Sequence, residues 1–366
     1  MFTNIGILAD YDITELLQKN IIKIQQPLVD DQIQPASLDL RLGKVAYRVR
    51  ASFMPGNNNV IDKLKKFKLH EIDLTKGAVL ETNCVYIVPL MESLELPENI
   101  SAITNPKSST GRLDIFTRII TDKTQEFDKI SAGYKGDLYL EISPRTFPVI
   151  VHQGSRLSQI RFRFGQNILD KNDLMQLHKI DPLIANNNIK IMAGGVALSV
   201  DLTGDENGLV GYRGKRHTEV IDIEKINNYD ILDFWEPIYQ RGDKSLILDP
   251  NEFYILASKE FLKVPSEYAA EMVPFDPLVG EFRVHYAGFF DPGFGYSDNS
   301  NSKAVLEVRS HDVPFILEDG QIIGRLIYEN MVQKPKNLYG SLKTSNYQGQ
   351  GLKLSKHFKN VKSLFT

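Results

Sequence analysis

The chain has 366 residues, 42% hydrophobic and 24% charged, with one cysteine and a formal net charge of −3. The length suggests two ordinary domains, and the lone Cys84 excludes an internal disulfide and a multi-cysteine metal cage. A slightly acidic chain has no general attraction for nucleic acid or an anionic membrane, so a polyanionic ligand would need a local group of cations.

In chain order, residues 1–18 lack the basic region, apolar core and cleavage site of a secretory leader. No apolar run approaches the roughly 20 residues that span a bilayer, so a cytoplasmic protein is expected. ITELLQKNII (13–22) is the best helical pattern, led by Asp12 as its cap. Beyond it the chain reads as short strands with period-2 or fully apolar patterning: VYIVPL, LYLEI and FPVIVH, then FYILA, AVLEV and VPFIL. Turn signals such as PENI, HQGS, EDGQ and DPGFG separate them. The polar stretch 164–188 falls between two such series and reads as their connection.

The chain resembles itself. SPRTFPVIVHQGSRLSQIRF (143–162) has the pattern of RSHDVPFILEDGQIIGRLIY (309–328). Pro148 and Pro314 lie 166 positions apart, as do Gly154 and Gly320, and Glu141 and Glu307. Tyr86 and Tyr254, like Pro97 and Pro265, lie 168 apart. Near-constant offsets in one order argue for two tandem repeats rather than shared turn punctuation. The expected fold is all-β: two barrel or jelly-roll repeats with few short helices, over 1–170 and 189–366, with a linker at 171–188.

Four segments carry candidate chemistry. KSSTGRLDIF combines Lys107, Ser108, Ser109 and Arg112 immediately before an apolar run. If that run opens a helix, its free N–H groups and these side chains form an anion site, with Arg112 as a bidentate fork and Lys107 as a point charge. A capped surface helix with solvated charges is the alternative, and Arg112 is expected to be exposed. Glu141 and Glu307 each sit in an apolar x-L-E strand, where burial would raise the carboxyl pKa toward neutrality and suit a proton carrier. The tail, with Tyr339, Asn346, Tyr347 and Gln350, is too polar to bury a core and suits a lid over phosphates.

Four blocks together resemble the dCTP deaminase family, which shares its fold with trimeric dUTP pyrophosphatases. They are GILADYDITELLQKN with QPASLDLRLG; KSSTGRLD, similar to [RK]-S-S-x-x-R-x-G; AGFFDPGFG (287–295) followed by AVLEV; and YGSLKTSNYQGQG (339–351), similar to Y-x6-K-Y-Q-G-Q. The resemblance spans nearly the whole chain and implies two dUTPase-like repeats and hydrolytic deamination of dCTP to dUTP in pyrimidine deoxynucleotide metabolism. It implies a catalytic glutamate without zinc, Ser108 and Arg112 steadying water and intermediate, and Mg²⁺ serving only the triphosphate. It also implies a homo-oligomer, with dTTP as a candidate inhibitor. In the family the strand before the DPG turn, here at Ala287, meets the pyrimidine, the aspartate, here Asp291, meets the deoxyribose, and the tail closes over the triphosphate. Asn346 stands where the family has lysine, and Lys343 or Lys353 is the expected replacement.

The repeats differ in complementary ways. Repeat 2 has PFDPLVGEF (274–282) in place of the phosphate block, whereas repeat 1 has Ser131 where the hairpin aspartate belongs. A composite site is therefore expected: Lys107, Ser108, Ser109 and Arg112 with Ala287, Asp291 and Glu307. Glu141 is the fallback, with Asp122, Glu126 and Asp128 rebuilding the first hairpin. A dUTP pyrophosphatase is the main rival, but FFDPGFG lacks the second aspartate and the tyrosine of I-D-x-D-Y-x-G. A bifunctional enzyme and a silent nucleotide-sensing protein are the other readings.

Overall fold

The alternation of β-branched and aromatic residues with polar ones produces the strands that the pattern predicts, and the fold is all-β with few helices. The computed structural model describes residues 4–185, 189–274, 282–284 (backbone), 288–296, 302–310, 312–341 and 346–359. In the first half, Arg156–Phe164 lies between Ile100–Pro106 and Ser37–Arg41; in the second, Ile322–Asn330 lies between Tyr268–Pro274 and Gly195–Ser199. A second sheet repeats in the same way. Lys135–Pro144 pairs with Ile115–Thr121 and Val85–Glu95, and Lys303–Ser310 pairs with Phe282–Val284 and Phe253–Phe261. Even the registers correspond, since Glu141 pairs with Ile87 and Glu307 with Ile255.

The helices differ from expectation in detail. The first spans Asp10–Gln18 and begins at Ala9, so Asp12 is three residues inside it, where its carboxylate accepts the Ala9 N–H at 2.9 Å. It stops at Lys19 because Asn20 turns left-handed (φ 55°), and Ile22–Ile24 continues as a strand. The connection holds a helix, Lys171–Ile180, capped by Asp170, which accepts the N–H groups of Asn172 and Asp173. Its Leu174 is buried in the second half's core. The end of the connection, 186–188, lies outside the described residues. No described helix is long and apolar enough to cross a membrane.

The halves share a core. Ile221–Asp222 of the second adds parallel to Val149–Val151 of the first. Beside this junction Trp235 packs edge-on against Phe147 at 5.2 Å, with Phe253 and the tail's Phe358 each at 5.9 Å. Three segments distant in sequence thus meet on one indole, each burying aromatic surface that no half could cover alone. Phe147→Ala should therefore destabilise the whole chain by about 3–5 kcal/mol rather than loosen one half. Denaturant unfolding followed by fluorescence of Trp235, the only tryptophan, and by circular dichroism should show one shared, shifted transition; separate transitions would contradict a common core.

Candidate active site

The first half contributes a tight turn. The strand Ile100–Pro106 runs into Lys107, and Ser108–Gly111 makes a single helical turn before the strand Ile115–Thr121. The helix therefore precedes the apolar run instead of being opened by it. Lys107 N and Thr110 Oγ1 both donate to the Leu157 carbonyl, at 2.9 and 2.8 Å, which ties the turn to the neighbouring sheet. The second half contributes the strand Lys303–Ser310 and the turn after Phe289–Phe290. In that turn Gly295 (φ 82°) is required, since a Cβ there would lie 1.9 Å from the Leu262 carbonyl oxygen. Between these parts lies a cleft of about 1100 Å³, including solvent at its mouth. Lys107, Ser108, Ser109, Arg112, Asp291, Glu307, Tyr339, Asn346 and Gln350 all line it.

Glu307 and Arg112 face each other across the junction of the halves, Arg112 Nε lying 3.9 Å from Glu307 Oε1. Both are buried, at 5% and 3% exposure. Burial pushes the Glu307 carboxyl up to about 7, against the pull of Arg112. Such a group can accept and return a proton near neutrality. The separation exceeds hydrogen-bonding distance, so Glu307 is attracted without being capped. Arg112 is not the exposed arginine expected: its Nη1 donates to Gln350 Oε1 at 3.1 Å and to the Lys353 carbonyl at 3.0 Å, and Tyr347 stacks 3.9 Å from its guanidinium carbon. The apolar flanks of that turn and the returning tail bury it.

A group of cations lines the other end. Lys107 is ion-paired to Asp39, and Arg156 Nη1 lies 3.3 Å from the same carboxylate. Lys356 stands beside them, its ammonium pKa lowered first by burial and then by the charges of Lys107 and Arg156. Three cations around one carboxylate leave a positive excess suited to a polyphosphate. Asp39 Oδ1 is buried with no hydrogen-bond partner among the described residues. Asp291 is held by Arg161, whose Nη2 donates to Oδ1 at 3.0 Å, and Arg161 stacks 4.0 Å from the Phe289 ring. Burial raises the Asp291 carboxyl pKa while Arg161 opposes it.

The tail docks on the cleft through main chain and aromatics. Tyr339 N donates to the Pro292 carbonyl at 2.8 Å, and its hydroxyl accepts Tyr347 N at 3.2 Å. Gln350 bridges Arg112 to the Lys303 carbonyl. Asn346 is exposed at the lip, where its carbonyl accepts Lys353 Nζ at 2.7 Å. Further on, Ser355 Oγ donates to the Ser109 carbonyl at 2.9 Å.

Glu141 is not brought to this cleft. Its strand belongs to the first half's sheet, and Arg118 binds it, with Nε 3.0 Å from Oε1. It is buried rather than turned outward, and Phe127 stacks 3.6 Å from the Arg118 guanidinium carbon. Asp128 serves structure too, accepting Ile119 N and Thr104 Oγ1. Ala287, Lys343 and most of 274–282 lie outside the described residues. Asp39, Arg156, Arg161 and Lys356 were missed as site residues. Asp39 carries the same signal as the glutamates, a carboxylate within an apolar x-L-D strand; the three cations show no comparable pattern.

An all-β chain whose cleft joins a buried carboxylate to a row of cations is suited to a nucleotide-processing hydrolase. Family models for the N-terminal and C-terminal domains of 2′-deoxycytidine 5′-triphosphate deaminase match residues 4–166 and 170–358. The crystal structure of 2′-deoxycytidine 5′-triphosphate deaminase from Agrobacterium tumefaciens is 64% identical, with a TM-score of 0.88, covering 91% of this chain and 99% of that one. A dCTP deaminase of Sulfurisphaera tokodaii is 29% identical over 160 residues, covering 43% of this chain and 78% of that protein. A "dCTP deaminase, dUMP-forming" of Dictyoglomus turgidum is 32% identical over 164 residues, covering 43% and 79%. The chain belongs to the 2′-deoxycytidine 5′-triphosphate deaminase family.

His357 gives tail docking a pH dependence. Its Nε2 bonds the Ile223 carbonyl and its Nδ1 meets Ser355 Oγ, each at 2.9 Å. Burial is the main cause that lowers its pKa to about 4, with Lys356 adding to it. Because the folded value lies below the unfolded one, the unfolded chain binds more protons between them. Stability is thus present above about 6.5 and is lost as pH falls toward 4. Limited proteolysis should release the tail faster at pH 5 than at pH 7, and His357→Asn should flatten that difference; equal rates for the parent chain would contradict it.

Proposed function

We propose that the chain deaminates dCTP to dUTP and ammonia at this cleft, with Glu307 carrying the protons. The observation that supports this most is the Glu307–Arg112 pair, formed where the two halves meet. Water attacks cytosine C4 as its proton passes to Glu307. The proton is returned to ring N3, and a second transfer accompanies cleavage of the C4–N4 bond, releasing ammonia and leaving the carbonyl of uracil. Ser108 positions the water and Arg112 steadies the charge that develops. Lys107, Ser109, Arg156 and Lys356 receive the triphosphate, which brings Mg²⁺ as part of the substrate. Asp291, with the main chain near Ala287, meets the deoxyribose and base, while Tyr339, Asn346 and Gln350 belong to the lid. Zinc has no part in this reading, since one cysteine cannot supply the multi-cysteine set of zinc deaminases.

The same reading takes the halves as two dUTPase-like repeats, 1–170 and 189–366 joined through 171–188, in a cytoplasmic homo-oligomer open to dTTP inhibition. The matched strand orders support a duplication. A dUMP-forming, bifunctional reaction is the second reading, favoured by the name of the Dictyoglomus turgidum relative.

Glu307→Gln should bind nucleotide but lose turnover by about 10²–10⁴-fold, while Glu141→Gln keeps substantial activity. The parent enzyme's kcat should rise with pH through about 7, where Glu307 loses its proton, and zinc chelation should leave it active. Because both groups come from one chain, mixing Arg112→Ala and Glu307→Gln proteins should restore nothing. Separate assays of ammonia and pyrophosphate from dCTP distinguish the two readings. Normal turnover by Glu307→Gln beside a dead Glu141→Gln would sink the assignment.

A further inference from the structure

The block around Arg112 departs from the family pattern at its last position. Where [RK]-S-S-x-x-R-x-G ends in glycine, this chain has Asp114, and Asp114 sits at φ 55°. Left-handed backbone favours glycine, so an aspartate there carries a cost that its surroundings must offset. Asp114 is buried, and its carboxylate accepts Arg309 Nη2, Arg309 Nε at 3.4 Å and Thr146 Oγ1 at 2.6 Å. Arg309, also buried, donates in addition to Thr146 Oγ1 at 2.8 Å and to the Asn251 carbonyl.

The placement of this pair matters more than its burial. Arg309 lies two residues beyond Glu307 on the strand Lys303–Ser310, hence on the same face. Asp114 likewise lies two residues beyond Arg112. Two ion pairs of opposite sense therefore cross the junction side by side: Arg112–Glu307, loose at 3.9 Å, and Asp114–Arg309, in direct contact. The position equivalent to Arg309 in the first half, 166 residues earlier, is the uncharged Ser143. Charge at this point is thus a property of the half that carries Glu307.

We infer that Asp114 and Arg309 are positioning residues whose ion pair clamps the first half's turn to the second half's strand and sets the separation of Arg112 from Glu307. The inference rests on the reading that Glu307 turns over the nucleotide. The loose pair cannot fix its own distance, because no hydrogen bond joins its partners. The tight pair, one step along both segments, fixes it for them. The clamp also balances charge. Glu307 is faced by Arg112 and Asp114 from the first half and by Tyr347 from the tail, with Arg309 on its own strand. Removing the Asp114 charge would leave Arg309 uncompensated and favour ionised Glu307.

The test uses the full chain, with ammonia release from dCTP measured well below the melting temperature of every variant. Asp114→Asn and Arg309→Ser should each lower kcat by roughly 10–100-fold, the scale of a small misplacement of reacting groups. KM should stay within about threefold, as expected where binding is untouched. The acid limb of kcat should move to lower pH in Asp114→Asn, which a merely structural defect would not cause. The double variant Asp114→Gly/Arg309→Ser removes both buried charges and so lacks the same clamp as either single variant; its kcat should be no lower than theirs, because the two losses are one loss. If Arg309→Ser does not fold, Arg309→Lys, which keeps the charge but loses the fork, should show the same kcat defect in weaker form. Folded single variants with normal kcat, beside an inactive Glu307→Gln, would overturn the clamp alone, as would losses that simply multiply in the double variant. Normal turnover by Glu307→Gln would instead overturn the reading of the site, and the clamp's purpose with it.

Discussion

The burial of Glu307 against Arg112 is the constraint around which the molecule is arranged. A carboxylate in an apolar strand is costly unless a cation meets it. At 3.9 Å and an effective dielectric constant near 20, that cation supplies roughly 4 kcal/mol of attraction. The attraction opposes the rise that burial causes and leaves the carboxyl near neutrality, with no hydrogen bond between the two partners. Because the partners come from different halves, the pair exists only when the halves are docked. The shared core around Trp235 enforces that docking.

Matching strand orders in the two halves of one chain go with both partners coming from that chain. Each half builds a matching pair of larger sheets, and each carries x-L-E within one strand, Lys135–Pro144 or Lys303–Ser310. In the first half Arg118 and Phe127 fill the space beside Glu141, and the carboxylate serves local structure. In the second, Arg112 approaches from outside the half and leaves a cleft. The same dipeptide thus has two fates, decided by which arginine reaches it.

The tail completes the enclosure in a similar way. It is too polar to form a core, yet its described residues meet the cleft through Tyr347 on Arg112, Gln350 between Arg112 and the strand, and His357 against Ile223. Every one of these contacts is made to a surface that the two halves have already assembled. Arg112 is consequently a packing residue as well as a charge, buried by the tail together with the apolar flanks of its own turn.

The sequence by itself determined the all-β character, the internal offsets and the identities of most groups at the cleft. Those are carried by local period, turn chemistry and fixed offsets, which need no knowledge of distant contacts. The 166-residue offset between Glu141 and Glu307 was legible for that reason, and so was the loss of serines and arginine near 274–282. The complementary differences between the halves already pointed to Glu307, with Glu141 as the fallback; what only tertiary structure decided is the partner of each, Arg112 across the cleft from Glu307 and Arg118 on Glu141. It likewise decided that Asp39, Arg156 and Lys356 converge, since segments more than a hundred residues apart meet only through sheet order. Helix boundaries also fell to tertiary context: Asp12 caps from inside its helix, and the 107–114 turn closes before its apolar run because that run is claimed by a strand. A side chain's chemistry is written locally, but its burial and its partner are set by the chain that packs against it.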